Sequence, residues 1–171
     1  LSIEDSTGVA ARPLFEIDEA VQRLRAARLA IDRSGADTLL VGRAECFLVG
    51  RPDLDETIAR LQAYANAGAD CLYAPGLRTP QQISAVVTAL APKPVNLLVG
   101  SASALTLQTI AALGVRRVSV GGALARSAWG GFMRAAKLLA DKGQFDGFAD
   151  AAPGSELNSF FGTDLEQRGG A

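Results

Sequence analysis

The fold is decided by a pattern that is clearest in Ala67-Gly68-Ala69-Asp70-Cys71-Leu72-Tyr73-Ala74. Gly68 stands where a helix is expected to end, because glycine readily adopts the left-handed conformation that closes a helix. The apolar run at 71–74 does not alternate with polar residues, which is typical of a strand buried on both faces of a parallel sheet. The same arrangement recurs at 34–41 and 113–120, and residues 95–99 supply a further apolar run.

Helical segments separate these predicted strands. Six apolar residues share one face of the first helix: Ile17, Ala20, Val21, Leu24, Ala27 and Ile31. A capping Thr79 followed by Pro80 indicates the start of another helix, since proline fits the first helical position. Strand and helix therefore alternate from a short strand at about 1–4 onward, which predicts parallel strands joined by right-handed crossovers.

Two architectures fit five parallel strands. One is an open, doubly wound α/β sheet. The other is a (β/α)8 TIM-type barrel, in which residues 1–143 hold strands four to eight and the first three units are expected upstream of Leu1. No glycine-rich phosphate loop follows the first strand, which counts against a dinucleotide-binding open sheet. Residues 144–171 are expected to form a C-terminal tail, in which 155–161 has the pattern of a short helix.

Composition excludes several classes of function. The chain of 171 residues carries 17 Lys and Arg against 18 Asp and Glu, so it has no positive excess to attract nucleic acid. Its apolar runs are shorter than the roughly 20 residues of a membrane-spanning helix, which argues against membrane insertion. Histidine is absent, which removes His-dependent catalytic triads and His-ligated metal sites. The two cysteines make no disulfide framework, and we expect a cytoplasmic protein.

Polar residues gather where the predicted strands end, and this is where α/β proteins place their chemistry. Glu4 ends the first strand, and Arg43 and Glu45 follow the second. Carboxylates are ligands for Mg²⁺, and an arginine recognises the acid group of a substrate. Asn96, inside an apolar strand, and Gly121, in the turn after the last strand, are candidate substrate-binding positions.

Each of these residues also has a purely structural explanation. Glu4 would then begin or cap the next segment. Arg43 and Glu45 would only neutralise each other, since residues two apart on an extended chain point to the same side. Asn96 would make a structural hydrogen bond to a neighbouring loop, and Gly121 would only permit a tight turn.

The segments at the strand ends occur together in one known group of enzymes. In chain order they are Ile3-Glu4-Asp5-Ser6, Gly42-Arg43-Ala44-Glu45-Cys46-Phe47, Ala67-Gly68-Ala69-Asp70-Cys71, Pro94-Val95-Asn96-Leu97-Leu98 and Ser119-Val120-Gly121-Gly122-Ala123. This ordered set, which runs from Leu1 to about Phe145, resembles the isocitrate lyase/phosphoenolpyruvate mutase superfamily. The resemblance is greatest to the branch of phosphoenolpyruvate mutase-like and oxaloacetate decarboxylase-like proteins.

The resemblance implies a (β/α)8 barrel enzyme that binds Mg²⁺ and a small 2-oxo acid. Such an enzyme cleaves a C–C or P–C bond beside the carbonyl through an enolate-like intermediate. By the same resemblance Glu4 helps to hold the metal, and Arg43 grips the acid group of the substrate. Glu45 stands beside Arg43 as a second catalytic candidate, and Asn96 faces the pocket.

Two features depart from the superfamily pattern. Its Asp-x-Asp metal-binding pair is expected upstream of Leu1, and residues 6–14 stand where isocitrate and methylisocitrate lyases carry a Cys-containing gating loop. Two alternatives therefore stay open. One is a methylisocitrate lyase-like enzyme, and the other is a degenerate, non-catalytic scaffold of the same superfamily.

The resemblance also implies a homo-oligomer, a tetramer built as a dimer of dimers. Apolar residues on the last long helix and in the tail are expected to anchor on a neighbouring subunit: Trp129, Phe132, Met133, Leu157, Phe160 and Phe161.

Overall fold

The structure is a computed structural model that describes residues 1–169. Gly170 and Ala171, the end of the predicted tail, lie outside the described residues. The chain divides into two compact units, Leu1–Ala123 and Leu124–Ala171. The first unit contains the parallel sheet and the four helices that follow its first four strands.

The secondary structure alternates as the sequence predicts. The strands are β1 (Ser2–Glu4), β2 (Ser6–Val9), β3 (Arg12–Leu14), β4 (Val41–Arg43), β5 (Cys71–Tyr73), β6 (Val95–Leu98) and β7 (Arg117–Ser119). The helices are α1 (Ile17–Ser34), α2 (Leu54–Asn66), α3 (Pro80–Leu90), α4 (Leu107–Ala112), α5 (Ala123–Lys142) and α6 (Gly154–Gln167), with a 3-10 turn at Asp146–Phe148.

Five strands form one parallel sheet in the order β1-β4-β5-β6-β7. Strand order therefore follows chain order without reversal. A doubly wound sheet reverses its order at a switch point, whereas a barrel adds each new strand beside the previous one. The sheet confirms the prediction of five consecutive βα units of a barrel-type α/β fold, and it excludes the doubly wound alternative.

The register of the strands decides which side chains share a face of the sheet. Glu4 pairs with Arg43, Arg43 with Tyr73, Tyr73 with Asn96, and Asn96 with Arg117. In-register neighbours in parallel strands point to the same face, because side chains alternate along each strand with a period of two. These five side chains therefore form one row across the sheet, which we call the polar row.

The opposite face of the sheet packs against the helices. Leu72 of β5 and Leu97 of β6 are buried there in the core, together with Leu24 of α1. Helix α2 lies close to β4 because Gly42 has no side chain: a Cβ atom at Gly42 would lie 2.9 Å from the Cβ of Tyr64. The residue at 42 thus sets how near α2 comes to the strand.

Residues 6–14 form an antiparallel hairpin of β2 and β3, which the sequence did not predict. Gly8, at φ 74°, lies within β2 where the pairing register is irregular, and the Thr7 hydroxyl donates a hydrogen bond across the hairpin to the Arg12 carbonyl. Side-chain bonds of this kind stabilise short turns that carry little hydrophobic pattern. The Phe15 amide then donates to the Asp5 carbonyl at 2.9 Å, which ties the end of the hairpin to the end of β1.

Two predicted boundaries differ from the structure. The second strand of the sheet begins at Val41, although the apolar run begins at Thr38. Leu39 is 64% exposed, and the Leu40 amide donates to the Asp70 carboxylate at 2.7 Å, so this part of the run forms a loop. In the tail, α6 covers Gly154–Gln167 and is longer than the predicted segment.

None of the helices within residues 1–169 combines the length and apolar character that a membrane crossing requires.

Candidate active site

The polar row reaches the carboxyl edge of the sheet, where chemistry is expected, in strands β1, β4 and β5. Glu4, Arg43 and Tyr73 are the last residues of β1, β4 and β5. The structure therefore brings the predicted metal ligand and the predicted substrate-binding arginine onto neighbouring strands. Sequence reasoning missed Tyr73, because it lies in a run that reads as uniformly apolar.

Arg43 is the centre of this cluster. Its Nε donates a hydrogen bond to the Glu45 carboxylate and lies 3.4 Å from a Glu4 carboxylate oxygen. The guanidinium carbon lies 5.0 Å from the centre of the Tyr73 ring, within the range of a cation–π contact. Two carboxylates and one aromatic face thus hold a single guanidinium, which restricts its direction.

The charges in this cluster shift one another's proton affinity. Burial raises the pKa of Glu45 above its usual value, and this effect exceeds the lowering by Arg43. Burial acts to lower the pKa of Arg43, but the hydrogen bond and charge of Glu45 raise it overall. Arg43 therefore stays cationic, while Glu45 accepts a proton more readily than an exposed glutamate.

Asp5 is turned away from the cluster, although it follows Glu4 directly. Successive residues of an extended chain point to opposite sides, so Glu4 faces the polar row and Asp5 faces inward. Asp5 is 1% exposed. Its carboxylate accepts hydrogen bonds from the Glu45 amide at 2.8 Å, the Tyr64 hydroxyl at 2.5 Å and Arg60 Nη1 at 3.2 Å. Arg60 and Tyr64 come from α2, and nothing in the sequence pattern marks them as partners of Asp5.

Asn96 lies in the next position of the row and is fully buried. Its amide oxygen accepts a hydrogen bond from Arg117 Nη1 at 3.1 Å, and its amide nitrogen donates to the Ser119 hydroxyl at 2.9 Å. Both partners lie on the neighbouring strand β7, not on a loop as the structural explanation expected. The two bonds account for the burial of this amide, since they satisfy both its donor and its acceptor side.

Gly121 stands two residues after β7, in the turn before α5. Its φ of 52° lies in the left-handed region that favours glycine. A Cβ atom there would lie 3.5 Å from a Leu98 methyl group, which is an ordinary contact. Backbone conformation is therefore a sufficient reason for glycine at this position.

Metal-binding capacity in the described residues is small. Residues 1–169 contain no group of three or more His, Cys, Asp or Glu side chains that is arranged to hold a metal ion. Glu4 contributes one half-exposed carboxylate beside Arg43. This donor fits Mg²⁺ as a single protein ligand, because Mg²⁺ retains several of its waters and takes few carboxylates.

A cavity of about 420 Å³ lies between the loops that follow β5 and β6, and its lining includes none of the five residues of the polar row. Gly76, Arg78 and Ser101 line it, with Leu98 of β6 on one wall. Its volume suits a small organic acid.

A parallel array of βα units with an arginine–carboxylate cluster at its carboxyl edge defines a barrel-type α/β enzyme scaffold. The sequence profile of phosphoenolpyruvate phosphomutase matches residues 1–140. The chain belongs to this phosphoenolpyruvate phosphomutase family.

Several proteins named as a lyase, mutase, decarboxylase or acetylhydrolase are similar to this chain. A putative lyase/mutase from Burkholderia cenocepacia J2315 has a crystal structure that is 48% identical, covers 94% of this chain and superposes with a TM-score of 0.84. Oxaloacetate decarboxylase from Paraburkholderia xenovorans (strain LB400) is 33% identical in an alignment of 96 residues that covers 53% of this chain. A structure of oxaloacetate acetylhydrolase with the product oxalate is 26% identical over 99% of this chain, with a TM-score of 0.79.

The chain spans only part of each relative. It covers 58% of the Burkholderia protein, 61% of the acetylhydrolase and 31% of the decarboxylase.

Proposed function

We propose that the protein is a Mg²⁺-dependent enzyme that cleaves a C–C or P–C bond in a small 2-oxo acid through an enolate-like intermediate. Oxaloacetate decarboxylation is the reaction we favour. The observation that carries the proposal is the convergence of Glu4, Glu45 and the Tyr73 ring on Arg43 at the carboxyl edge of the sheet. The similarity to oxaloacetate decarboxylase supports the same reaction class.

Arg43 would bind the acid group of the substrate. Its hydrogen bond to Glu45 uses Nε, and within residues 1–169 the two terminal nitrogens donate no hydrogen bond. These nitrogens can form the paired bonds by which a guanidinium holds a carboxylate. Gly121, in the turn after β7, and Asn96, in the polar row, are proposed to contact the remainder of the substrate, and Asn96 would have to exchange one of its bonds to Arg117 and Ser119 to do so.

Glu45 is the proposed proton-transfer group. When oxaloacetate loses CO₂, the electrons of the broken C–C bond pass into the 2-oxo system and form an enolate, which must gain one proton at carbon to give pyruvate. Burial raises the pKa of Glu45, which increases the share of its protonated form at any given pH and so favours this role. A bound Mg²⁺, held in part by Glu4, would supply positive charge that favours the enolate.

We further propose that an upstream segment completes the barrel with three βα units and supplies the remaining metal ligands. Five strands do not close a barrel that needs eight. Since the described residues offer Mg²⁺ little more than Glu4, a non-catalytic scaffold is the alternative function.

The test uses the protein expressed from its complete reading frame, which we call the complete protein. It is assayed with Mg²⁺ and, in turn, oxaloacetate, phosphonopyruvate and methylisocitrate. We expect turnover of one 2-oxo acid, and Arg43→Ala to lower kcat/KM by about 100-fold or more, since a charge-assisted contact to the substrate is lost. Arg25→Ala, at an exposed position of α1, is the matched control and should leave kcat/KM unchanged.

Turnover that is unaffected by Arg43→Ala would remove Arg43 from the mechanism. No turnover of any of the three acids would favour the scaffold, and turnover of methylisocitrate alone would favour the lyase alternative.

We also propose that the protein is a cytoplasmic homotetramer, a dimer of dimers. Trp129, Phe132 and Met133 of α5 are each more than 60% exposed in the single chain, as are Phe160 and Phe161 of α6. Exposed apolar patches of this kind mark contact surfaces. Analytical ultracentrifugation of the complete protein should give a tetramer, and a monomer at micromolar concentration would contradict this proposal.

A further inference from the structure

We propose that Asp5, Tyr64 and Arg60 form a positioning unit that fixes the backbone on both sides of Ala44 and thereby aims Arg43 and Glu45. The inference rests on the proposed function, because it holds that these residues position Arg43 and Glu45 for catalysis. None of the three residues lies in the polar row, so they act through Arg43 and Glu45 and not on a substrate.

The backbone contacts show how the unit holds this segment. The Asp5 amide donates to the Arg43 carbonyl at 3.2 Å, and the Asp5 carboxylate accepts from the Glu45 amide at 2.8 Å. From the other side, the Ala44 amide donates to the Tyr73 carbonyl at 2.9 Å. The peptide groups at Ala44 are therefore held from both sides, and one of these three hydrogen bonds is accepted by the Asp5 carboxylate.

Two side chains of α2 fix the direction of that carboxylate. The Tyr64 hydroxyl donates to the second Asp5 oxygen at 2.5 Å, and Arg60 Nη1 donates to the same oxygen at 3.2 Å. Burial and the negative charge of Asp5 raise the pKa of Tyr64, so its hydroxyl remains a donor. Arg60 also donates to the Phe15 carbonyl at 2.9 Å, where the hairpin returns to the sheet.

Stability alone is a weak explanation for this arrangement. Replacing a buried ion pair by well-packed apolar residues is often neutral or stabilising, because both charges must lose their water. A carboxylate with three fixed donors, however, can hold a backbone amide in only one place. This matters beside Arg43, since small displacements of a substrate-positioning group reduce turnover strongly.

The test begins with Tyr64→Phe, which removes one hydroxyl and leaves Arg60 on Asp5. Hydrogen–deuterium exchange of the complete protein is followed in a peptide that covers residues 43–50. We expect this peptide to exchange about 10-fold faster than in the wild type, while peptides of β5 and β6 keep the wild-type rate. Gln62→Met is the matched control, because Gln62 also lies on α2 but donates its side-chain hydrogen bond to the Ala89 carbonyl of α3.

Kinetics supply a second measurement that a purely structural role would not move. With oxaloacetate as substrate, the Tyr64→Phe substitution made in the wild-type background should lower kcat/KM about 10-fold. In the Arg43→Lys background it should lower kcat/KM by no more than about threefold, since an effect transmitted through Arg43 is lost with it. A general loss of folded protein would reduce both backgrounds equally.

The outcomes separate the two proposals. Unchanged exchange at 43–50 in Tyr64→Phe, or an equal rise across the whole sheet, would overturn the positioning unit. Absence of turnover in the wild type would overturn the proposed function, and the exchange result would still decide on the positioning unit. Asp5→Asn, which removes the charge that Arg60 and Tyr64 hold, serves as the second variant and should raise exchange in the same peptide only.

Discussion

Replacing Arg60 by methionine should destabilise the protein by about 3–5 kcal/mol, the usual cost of removing one partner from a buried ion pair. Arg60 and Asp5 have side chains that are 5% and 1% exposed, and their charged atoms lie 3.2 Å apart. Without Arg60, the Asp5 carboxylate keeps only the Tyr64 hydroxyl and the Glu45 amide as donors. The charge then stays buried without its cationic partner.

The matched control is Arg28→Met, the same substitution at a more exposed pair. The side chain of Arg28 is 24% exposed and lies 3.0 Å from the Asp70 carboxylate, whose side chain is 35% exposed. Solvent compensates for the loss of such a pair, so we expect a cost of about 1 kcal/mol or less. The difference between the two variants thus isolates the effect of burial.

Urea titration of both variants at neutral pH measures the free energy of unfolding. Arg60→Met should shift the midpoint far more than Arg28→Met, with the same dependence on urea, since the surface exposed on unfolding is unchanged. Equal costs for the two variants would refute the reasoning, because burial would then not decide the value of the pair.

Three further predictions concern packing and ionisation. Gly42→Ala should lower the free energy of unfolding by about 1–3 kcal/mol, because its Cβ would lie 2.9 Å from the Tyr64 Cβ; an unchanged urea midpoint would contradict this. The pKa of Glu45 is raised by burial, so its protonation stabilises the fold fully below the ordinary value of 4.5 and this gain is lost as pH rises past the folded pKa. The stability advantage of wild type over Glu45→Gln should therefore shrink as pH rises above 4.5, and a growing advantage in urea titrations would show the opposite sign. Burial also raises the pKa of the Cys46 and Cys71 thiols, so iodoacetamide should label them slowly in the native protein and rapidly in urea; fast native labelling would be inconsistent with their burial.

Local patterns in the sequence were enough to predict most of the fold. Glycine at the helix ends and uninterrupted apolar runs after it predicted β4, β5 and β7 to within a few residues, and an apolar run alone predicted β6, because these signals depend on neighbours along the chain. The hairpin at residues 6–14 was missed, since its strands carry little hydrophobic pattern and are joined in part by a hydroxyl–carbonyl bond. The early start expected for the strand at Val41 was wrong, because Leu39 faces solvent.

The candidate site was predicted only in part. The closeness of Arg43 and Glu45 followed from the sequence, since residues two apart on an extended chain share a side. The position of Glu4 beside them could be known only from the strand order, because β1 pairs with β4 and this pairing puts Glu4 in register with Arg43. Gly121 lies in the turn after β7, and Asn96 lies in the polar row. The substrate-binding roles of both residues stay predictions.

By itself, the sequence determined the alternation of strands and helices and the presence of carboxylates, an arginine and an amide at the strand ends. Only the tertiary structure decided that Glu4 faces the polar row while Asp5 faces α2, and that Tyr73, Arg60 and Tyr64 join them. The physical reason is that the pleat separates adjacent side chains, while their partners come from residues that are tens of positions away in the chain. Pairing between distant segments leaves no local signal in the sequence.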